Sequence, residues 1–384
     1  MNIAIFGAGK AGKVLYKRII ESCFNIQVLG FVDNILNGDI EDVKIYKPDE
    51  YFNLHKNDTD AVIITAGSQK TVGIMIDIAR NYGIDNIYML HDIIGKSDLP
   101  IFDNKGFIPY RVRKIRFSEE KPTLPYFEMP ITDMCNLNCK GCLFACNAMN
   151  KGSHTDILQI KADLKRMSEL FEDIPWIRIL GGEPLLHPNI VEVLEYCREC
   201  FPESEVDLCT NGLLLPKMKS SFYECLISNR ISVHISGYKP TYEMIDEIDE
   251  QMKKYNLIYV VLERNEFMKY YTLSNTNDPL KSYEKCIASA CREVYRGKLS
   301  NCSAVIAFEK MNEQFGTSYK VIENIDWFNI HNENIDIWKV IKALDEPMGI
   351  CRYCSDSKNE KFDWSYAGKN VTINDYILSE NDAE

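Results

Sequence analysis

Cys135, Cys139 and Cys142, in the run Cys135-Asn-Leu-Asn-Cys139-Lys-Gly-Cys142, are the residues of this chain best suited to chemistry. Three thiolates on so short a loop can ligate three irons of a [4Fe–4S] cube. The fourth iron is then left without a protein ligand and open to a small molecule, an arrangement for reaction rather than for structure alone. Zinc is the alternative, because two-residue cysteine spacings serve it equally well and Cys146 can supply a fourth ligand.

Such a loop needs rigid elements on either side. From Tyr126 the sequence alternates apolar runs with segments of helical period. Strands are predicted over 126–131, 176–180, 205–209, 231–235 and 257–262, and helices over 157–171, 190–200, 217–228 and 242–254. Repeated βα units of this length suit an open parallel barrel, with the site on loops at the C-terminal strand ends. The cysteine triplet falls on the first such loop.

Strand, cysteine loop and helix in this order resemble the radical S-adenosylmethionine (SAM) superfamily. In that superfamily the amino and carboxylate groups of SAM chelate the open iron, and an electron from the cluster cleaves SAM to a 5′-deoxyadenosyl radical. Gly181-Gly182-Glu183-Pro184, directly after the second strand, resembles its second-strand motif. The resemblance implies that backbone and Glu183 receive the amino group of SAM, with the glycines giving room for close approach. Thr210-Asn211-Gly212 resembles another SAM-adjacent loop. His234 and Ser236 end the fourth strand, within reach of the ribose or carboxylate of SAM, although His234 equally suits a satisfied core position. One departure stands out: many members carry an aromatic just before the third cysteine, where this chain has Gly141. Phe144 is then the candidate to stack on the adenine. Cys146 is also a candidate hydrogen-atom donor to a substrate radical.

A second set of cysteines follows: Cys286, Cys291, Cys302, Cys351 and Cys354. Cys286, Gly297 and Cys302 resemble the first half of the SPASM/twitch auxiliary-cluster pattern, and Cys351-Arg-Tyr-Cys354 its second half. With no cysteine beyond Cys354, the resemblance is to the shorter, one-cluster twitch form. It implies a second [4Fe–4S] cluster on Cys286, Cys302, Cys351 and Cys354, with Cys291 as substitute or bystander. A structural zinc held by four cysteines is the other possibility. Cys23, Cys197, Cys200, Cys209 and Cys225 fall in helix or strand patterns and read as small core residues.

At the N-terminus, the apolar run 2–6 leads into Gly7-x-Gly9-x-x-Gly12 and a helical pattern, and a second strand ends at Asp33. This is the context of a dinucleotide fingerprint: glycines admit a diphosphate at the helix N-terminus and Asp33 accepts from a ribose hydroxyl. A degenerate docking domain is the alternative. The wording around Gly7–Tyr16 and Gly30–Asn34 also resembles small Rossmann domains on bacterial glycan-assembly enzymes.

Length and composition bound these readings. The 384 residues allow two or three domains, and 46% hydrophobic with 26% charged residues suits a soluble globular protein. A net charge of −12 argues against nucleic-acid or anionic-membrane partners. The basic run Arg111–Arg116 reads as a solvated connector. No apolar stretch reaches the ~20 residues of a membrane span, and the N-terminus lacks a signal-peptide layout. Fourteen cysteines without an export signal point to metal or redox chemistry in the cytoplasm.

The sequence therefore predicts an α/β protein: a small doubly wound Rossmann-like domain over 1–95, a linker over 96–125, and a partial (β/α)6 radical SAM core over 126–275. An irregular twitch-like auxiliary-cluster domain follows over 276–356, and a loosely ordered tail over 357–384. The expected activity is hydrogen abstraction from a small nucleotide-linked sugar or polyol, as dehydrogenation or epimerisation, in surface-polysaccharide synthesis. Expected cofactors are two [4Fe–4S] clusters, SAM and a nucleotide at the Rossmann domain, with a flavodoxin- or ferredoxin-like electron donor. Modification of a peptide side chain and a non-catalytic iron–sulfur or zinc scaffold are the rival readings.

Overall fold

A computed structural model describes the chain apart from residues 22–24, 67–68, 92–101, 104–105, 108–110, 150–151, 287–290 and 379–384. Cys23 lies outside the described residues. The chain divides into two compact units, the first comprising Met1–Pro125 with Glu172–Pro175 and Glu203–Glu205, the second the remainder.

The first unit is built on β1 (Asn2–Phe6), whose central residues are wholly buried because a parallel strand covered on both faces must be apolar throughout. It continues through α1 (Lys10–Glu21), β2 (Gln27–Val32), β3 (Gly38–Ile40), β4 (Val43–Tyr46), α2 (Pro48–His55), β5 (Ala61–Ile64), α3 (Gln69–Asn81) and β6 (Ile87–Leu90). A two-strand hairpin, β7 (Phe102–Asp103) and β8 (Gly106–Phe107), precedes β9 (Val112–Lys114). The sheet order is β3-β4-β2-β1-β5-β6-β9, with β3 and β9 antiparallel to their neighbours. The chain crosses over in opposite directions on the two sides of β1, so the crevice of this doubly wound sheet opens at the glycine loop that follows Phe6.

Two sequence expectations change here. Within the expected linker, β9 completes the sheet by pairing with β6. The basic run is not a solvated connector: Arg113 is buried, with Nη1 and Nη2 donating to the Asp173 carboxylate at 3.0 and 2.6 Å. A buried guanidinium persists only with such a bidentate partner.

The second unit carries the βα alternation. It runs β10 (Tyr126–Pro130), α4 (Ile157–Leu170), β11 (Trp176–Leu180), α5 (Ile190–Cys200), β12 (Glu205–Thr210), α6 (Ser220–Ser228), β13 (Ile231–Gly237), α7 (Lys239–Glu243), α8 (Ile245–Lys254) and β14 (Tyr259–Glu263). The cysteine-rich part adds β15 (Glu266–Lys269), α9 (Pro279–Lys285), β16 (Glu293–Tyr295), β17 (Lys298–Ser300), α10 (Ala304–Phe315), β18 (Trp327–Asn329), α11 (Ile337–Leu344) and β19 (Glu360–Asp363). The sheet order is β14-β13-β12-β11-β10-β16-β17-β18. The α/β class with parallel sheets holds. β16 lies parallel to β10, joined by Glu128 N–H donating to Arg292 O at 2.7 Å, and so extends the core sheet itself. The tight β16–β17 turn places Arg296 and Gly297 at φ +49° and +79°, and Asp163 of α4 accepts from Gly297 N at 3.0 Å.

The described part of the expected loose tail, residues 357–378, is also ordered. β19 pairs antiparallel with β15, and Ala367 N–H donates to Asn138 O at 2.7 Å, across the cysteine loop.

Candidate active site and cluster cysteines

The cysteine loop leaves the C-terminal end of β10 and is braced from several sides. Asn211 Nδ2 donates to Asn136 Oδ1 at 2.6 Å, and Asn147 Nδ2 donates to Asn138 Oδ1 and Cys139 O at 2.8 and 2.9 Å. Cys135, Cys139 and Cys142 lie close enough to perturb one another electrostatically, and burial pushes the Cys135 and Cys139 thiols well up. Cys146 donates to Cys142, pulling the Cys142 thiol down and its own up. Three convergent, largely desolvated sulfurs fit a metal cluster, whose positive charge favours the thiolate forms that burial opposes.

The two glycines of Gly181-Gly182-Glu183 are forced by the protein's own backbone. A Cβ on Gly181 would lie 2.6 Å from Thr132 O, and one on Gly182 2.3 Å from Met134 O. Gly182 and Glu183 amides donate at 2.8 Å to those same carbonyls, clamping this loop to the base of the cysteine loop. Glu183 is fully buried, and its carboxylate accepts from Leu185 N, Thr210 Oγ1 and Asn211 N at 3.0, 2.7 and 2.9 Å. Burial nevertheless outweighs those donors and pushes its pKa up to about 7. Glu183, Thr210 and Asn211 thus come together as a knot tying the second and third strand-end loops. Phe144 is half-buried, its carbonyl accepting from Lys310 Nζ at 2.9 Å. Ser236 is half-buried at the end of β13, and its carbonyl accepts from Tyr238 N at 3.1 Å.

Strand register then gathers a set of polar side chains. Glu128 pairs with Arg178 and Cys209 with His234 on neighbouring strands, and alternate residues share a face. Arg178 Nη1 lies 3.9 Å from Glu128 Oε1, and Asp207 Oδ2 accepts from Trp176 Nε1 at 2.6 Å while lying 3.2 Å from His234 Nε2. Cys209, expected in an apolar core, instead sits by Arg178 and Asp207. Cys197 and Cys225 are buried as expected, while Cys200 is half-exposed.

The later cysteines sort themselves. Cys286, Cys302 and Cys354 wall a cavity of about 30 Å3 together with Tyr270, Tyr271 and Leu143, the neighbour of Cys142. Cys351 lies within electrostatic reach of Cys286 and Cys302, so four sulfurs converge. Cys291 feels Glu128 and Glu293 most strongly, with Cys286 also within electrostatic reach, and it does not line the cavity. Glu293 is the register partner of Glu128, and burial and its neighbour's charge push it well up.

In the first unit, Gly12 is dictated by packing, since a Cβ there would lie 2.0 Å from Gly7 O, whereas Gly9 has nothing within 4 Å. Asp33 takes the loop rather than open solvent: Oδ2 accepts from Ala8 N at 2.9 Å, and Oδ1 from Ile35 and Leu36 amides at 2.8 and 2.9 Å.

Sequence reasoning missed the aromatic surround of the triplet. Trp364 Nε1 donates to Cys139 Sγ at 3.1 Å, and its ring lies 5.6 Å from that of Tyr238. Phe362 packs against Gly141. In the sequence only the aromatics Phe362, Trp364 and Tyr366 after the last cysteine hint at this. Among the described residues, no helix is long and apolar enough to cross a membrane.

Comparison with known proteins agrees with the chemistry of the loop. GTP 3′,8-cyclase of Alkaliphilus oremlandii is 29% identical over 120 residues, covering 30% of this chain and 36% of that enzyme. GTP 3′,8-cyclase of Moorella thermoacetica is 34% identical over 116 residues, covering 30% of this chain and 35% of that enzyme. The chain thus matches little more than a third of the length of these relatives. The crystal structure of BtrN in complex with AdoMet and 2-DOIA is 16% identical, with a TM-score of 0.39 over 60% of this chain and 92% of that one. Residues 129–263 match the Radical SAM superfamily, and this stretch of the chain is a radical SAM domain.

Proposed function

We propose that this chain is a radical SAM enzyme that abstracts hydrogen from a small, highly polar substrate, a nucleotide-linked sugar or polyol. The observation that carries this reading is the buried polar set Glu128, Arg178, Asp207 and His234 on neighbouring core strands. Buried ions are costly and are retained where they meet a polar partner. An extended apolar or peptide ligand gains little from such a set, whereas hydroxyl and phosphate groups find both donors and acceptors. Relatives named for GTP support a nucleotide-bearing substrate.

In this reading Cys135, Cys139 and Cys142 would hold a [4Fe–4S] cluster, and SAM bound there would supply the radical chemistry for taking hydrogen from a C–H bond. The knot of Glu183, Thr210 and Asn211 holds the surrounding loops in place for the amino group of SAM, leaving Glu183 as its counter-charge. Cys286, Cys302, Cys351 and Cys354 hold a second cluster, with Cys291 outside the ligand set. The open approach at Gly9 supports a nucleotide at the first unit, held by loop amides rather than by Asp33. A flavodoxin- or ferredoxin-like protein supplies the electron.

The test is 5′-deoxyadenosine formation by the anaerobically reconstituted chain with SAM and dithionite, challenged separately with nucleotide sugars and with peptides. Stimulation by nucleotide sugars, with deuterium passing from substrate into 5′-deoxyadenosine, is expected. Stimulation by peptides alone overturns the substrate assignment.

A further inference from the structure

The segment after Asp363 runs over the cysteine loop. Lys140 N donates to Ser365 O at 3.0 Å, Ala367 N donates to Asn138 O at 2.7 Å, and Cys139 and Tyr366 form an antiparallel bridge. This pairing is anchored upstream by β19 on β15 and by Trp364 N donating to Asn265 O at 2.6 Å. It holds the Trp364 indole so that Nε1–H points at the Cys139 sulfur, 3.1 Å away. The ring contacts those of Tyr238 and Tyr366, at 5.6 and 4.9 Å between centroids.

An indole has one N–H and no acceptor, so a half-buried one is directed wherever it gains most. Here it is aimed at a cysteine sulfur, a weak acceptor when protonated and a strong one when it carries the charge of a cluster ligand. We propose that Trp364 is a positioning residue for the reaction, donating a hydrogen bond to the Cys139 thiolate and thereby setting the reduction potential of the cluster it ligates. The direction follows from charge. Reduction adds an electron to the cluster, a hydrogen bond to a ligand sulfur favours the more negative state, and the potential rises. The assignment rests on the cluster proposed for Cys135, Cys139 and Cys142.

The experiment is an EPR-monitored redox titration of the reconstituted full chain, following the signal that added SAM perturbs. This separates the first cluster from the second. Trp364→Phe keeps a ring and removes the donor. It is expected to hold the same iron and sulfide as wild type, with a midpoint moved to more negative potential. About a tenfold fall in the reduced-to-oxidised ratio at fixed poise corresponds to ~59 mV for one electron. Tyr366→Ala, which removes a neighbouring ring without touching the N–H, is expected to leave the potential unchanged. An unshifted Trp364→Phe, or an equal shift in Tyr366→Ala, overturns the proposal. Pulsed EPR of the unmutated chain labelled with 15N in its indoles reads the same contact without a variant. A nitrogen coupling in the reduced cluster supports it, and absence of the coupling overturns it. Absence of iron from wild type overturns the cluster reading itself, a result distinct from either.

Discussion

Phe362 occupies the place that a side chain at position 141 would need: a Cβ built on Gly141 lies 2.7 Å from Phe362 Cζ. Gly141 also has φ +67°, in the left-handed region that favours glycine. Gly141→Ala should therefore destabilise the chain by about 2–4 kcal/mol, overlap and backbone strain adding. Adding Phe362→Ala should recover the overlap part alone. Thermal unfolding of the four members of this cycle checks it, and independent, additive losses would count against the contact.

The sorting of the later cysteines predicts a sharp division. Alanine at Cys286, Cys302, Cys351 or Cys354 should each remove the iron of one cluster, while Cys291→Ala retains it. Iron and acid-labile sulfide per chain decide the matter, and loss of iron in Cys291→Ala would reassign the ligands.

Glu293 makes a pH prediction. Its carboxylate is 1% exposed and receives no hydrogen bond among the described residues, and burial followed by the charge of Glu128 pushes its pKa well up. A carboxyl whose folded pKa is raised holds its proton in the fold, so stability is full below the unfolded value near ~4.3 and falls as pH climbs toward the raised value. Glu293→Gln removes that slope. Its unfolding free energy should exceed that of wild type increasingly from pH 5 to pH 8, by about 1–3 kcal/mol at the upper end. A constant difference across that range would show that Glu293 does not titrate in the fold.

Two glycines of the same N-terminal motif should behave oppositely. Gly12→Ala brings a Cβ to 2.0 Å from Gly7 O and should strongly destabilise the first unit, while Gly9→Ala meets nothing within 4 Å and should fold normally. If the loop holds a nucleotide, Gly9→Ala should weaken its binding to the full chain without moving the melting temperature. Equal melting losses in both variants would contradict the packing described.

What was legible in the sequence is local. The cysteine triplet, Gly181–Glu183 and Thr210–Asn211 each end a strand whose apolar pattern announces it, so motif and element were readable together. What stayed hidden depends on residues far apart in the chain. Trp364 reaches Cys139 across 225 positions, and no periodicity connects them. Glu183 and Asp33 read in the sequence only as carboxylates beside glycines, suited to an ammonium or a ribose. Their protein donors, the Thr210 hydroxyl and the Ala8 amide among them, depend on how adjoining loops close, which sequence spacing does not encode. Arg113 looked solvated for the same reason, its partner Asp173 lying 60 residues on.

The hydrogen bond from Glu128 N to Arg292 O, which joins β10 to β16, bears on how this protein can be cut or recombined. Severing the chain ahead of β16 would leave β10 as a bare margin with unpaired amides and carbonyls, open to pairing with other molecules. The cysteine-rich half is therefore not an interchangeable cassette. Chains truncated near residue 275 should precipitate, whereas a nick within an exposed loop should leave the two fragments held together.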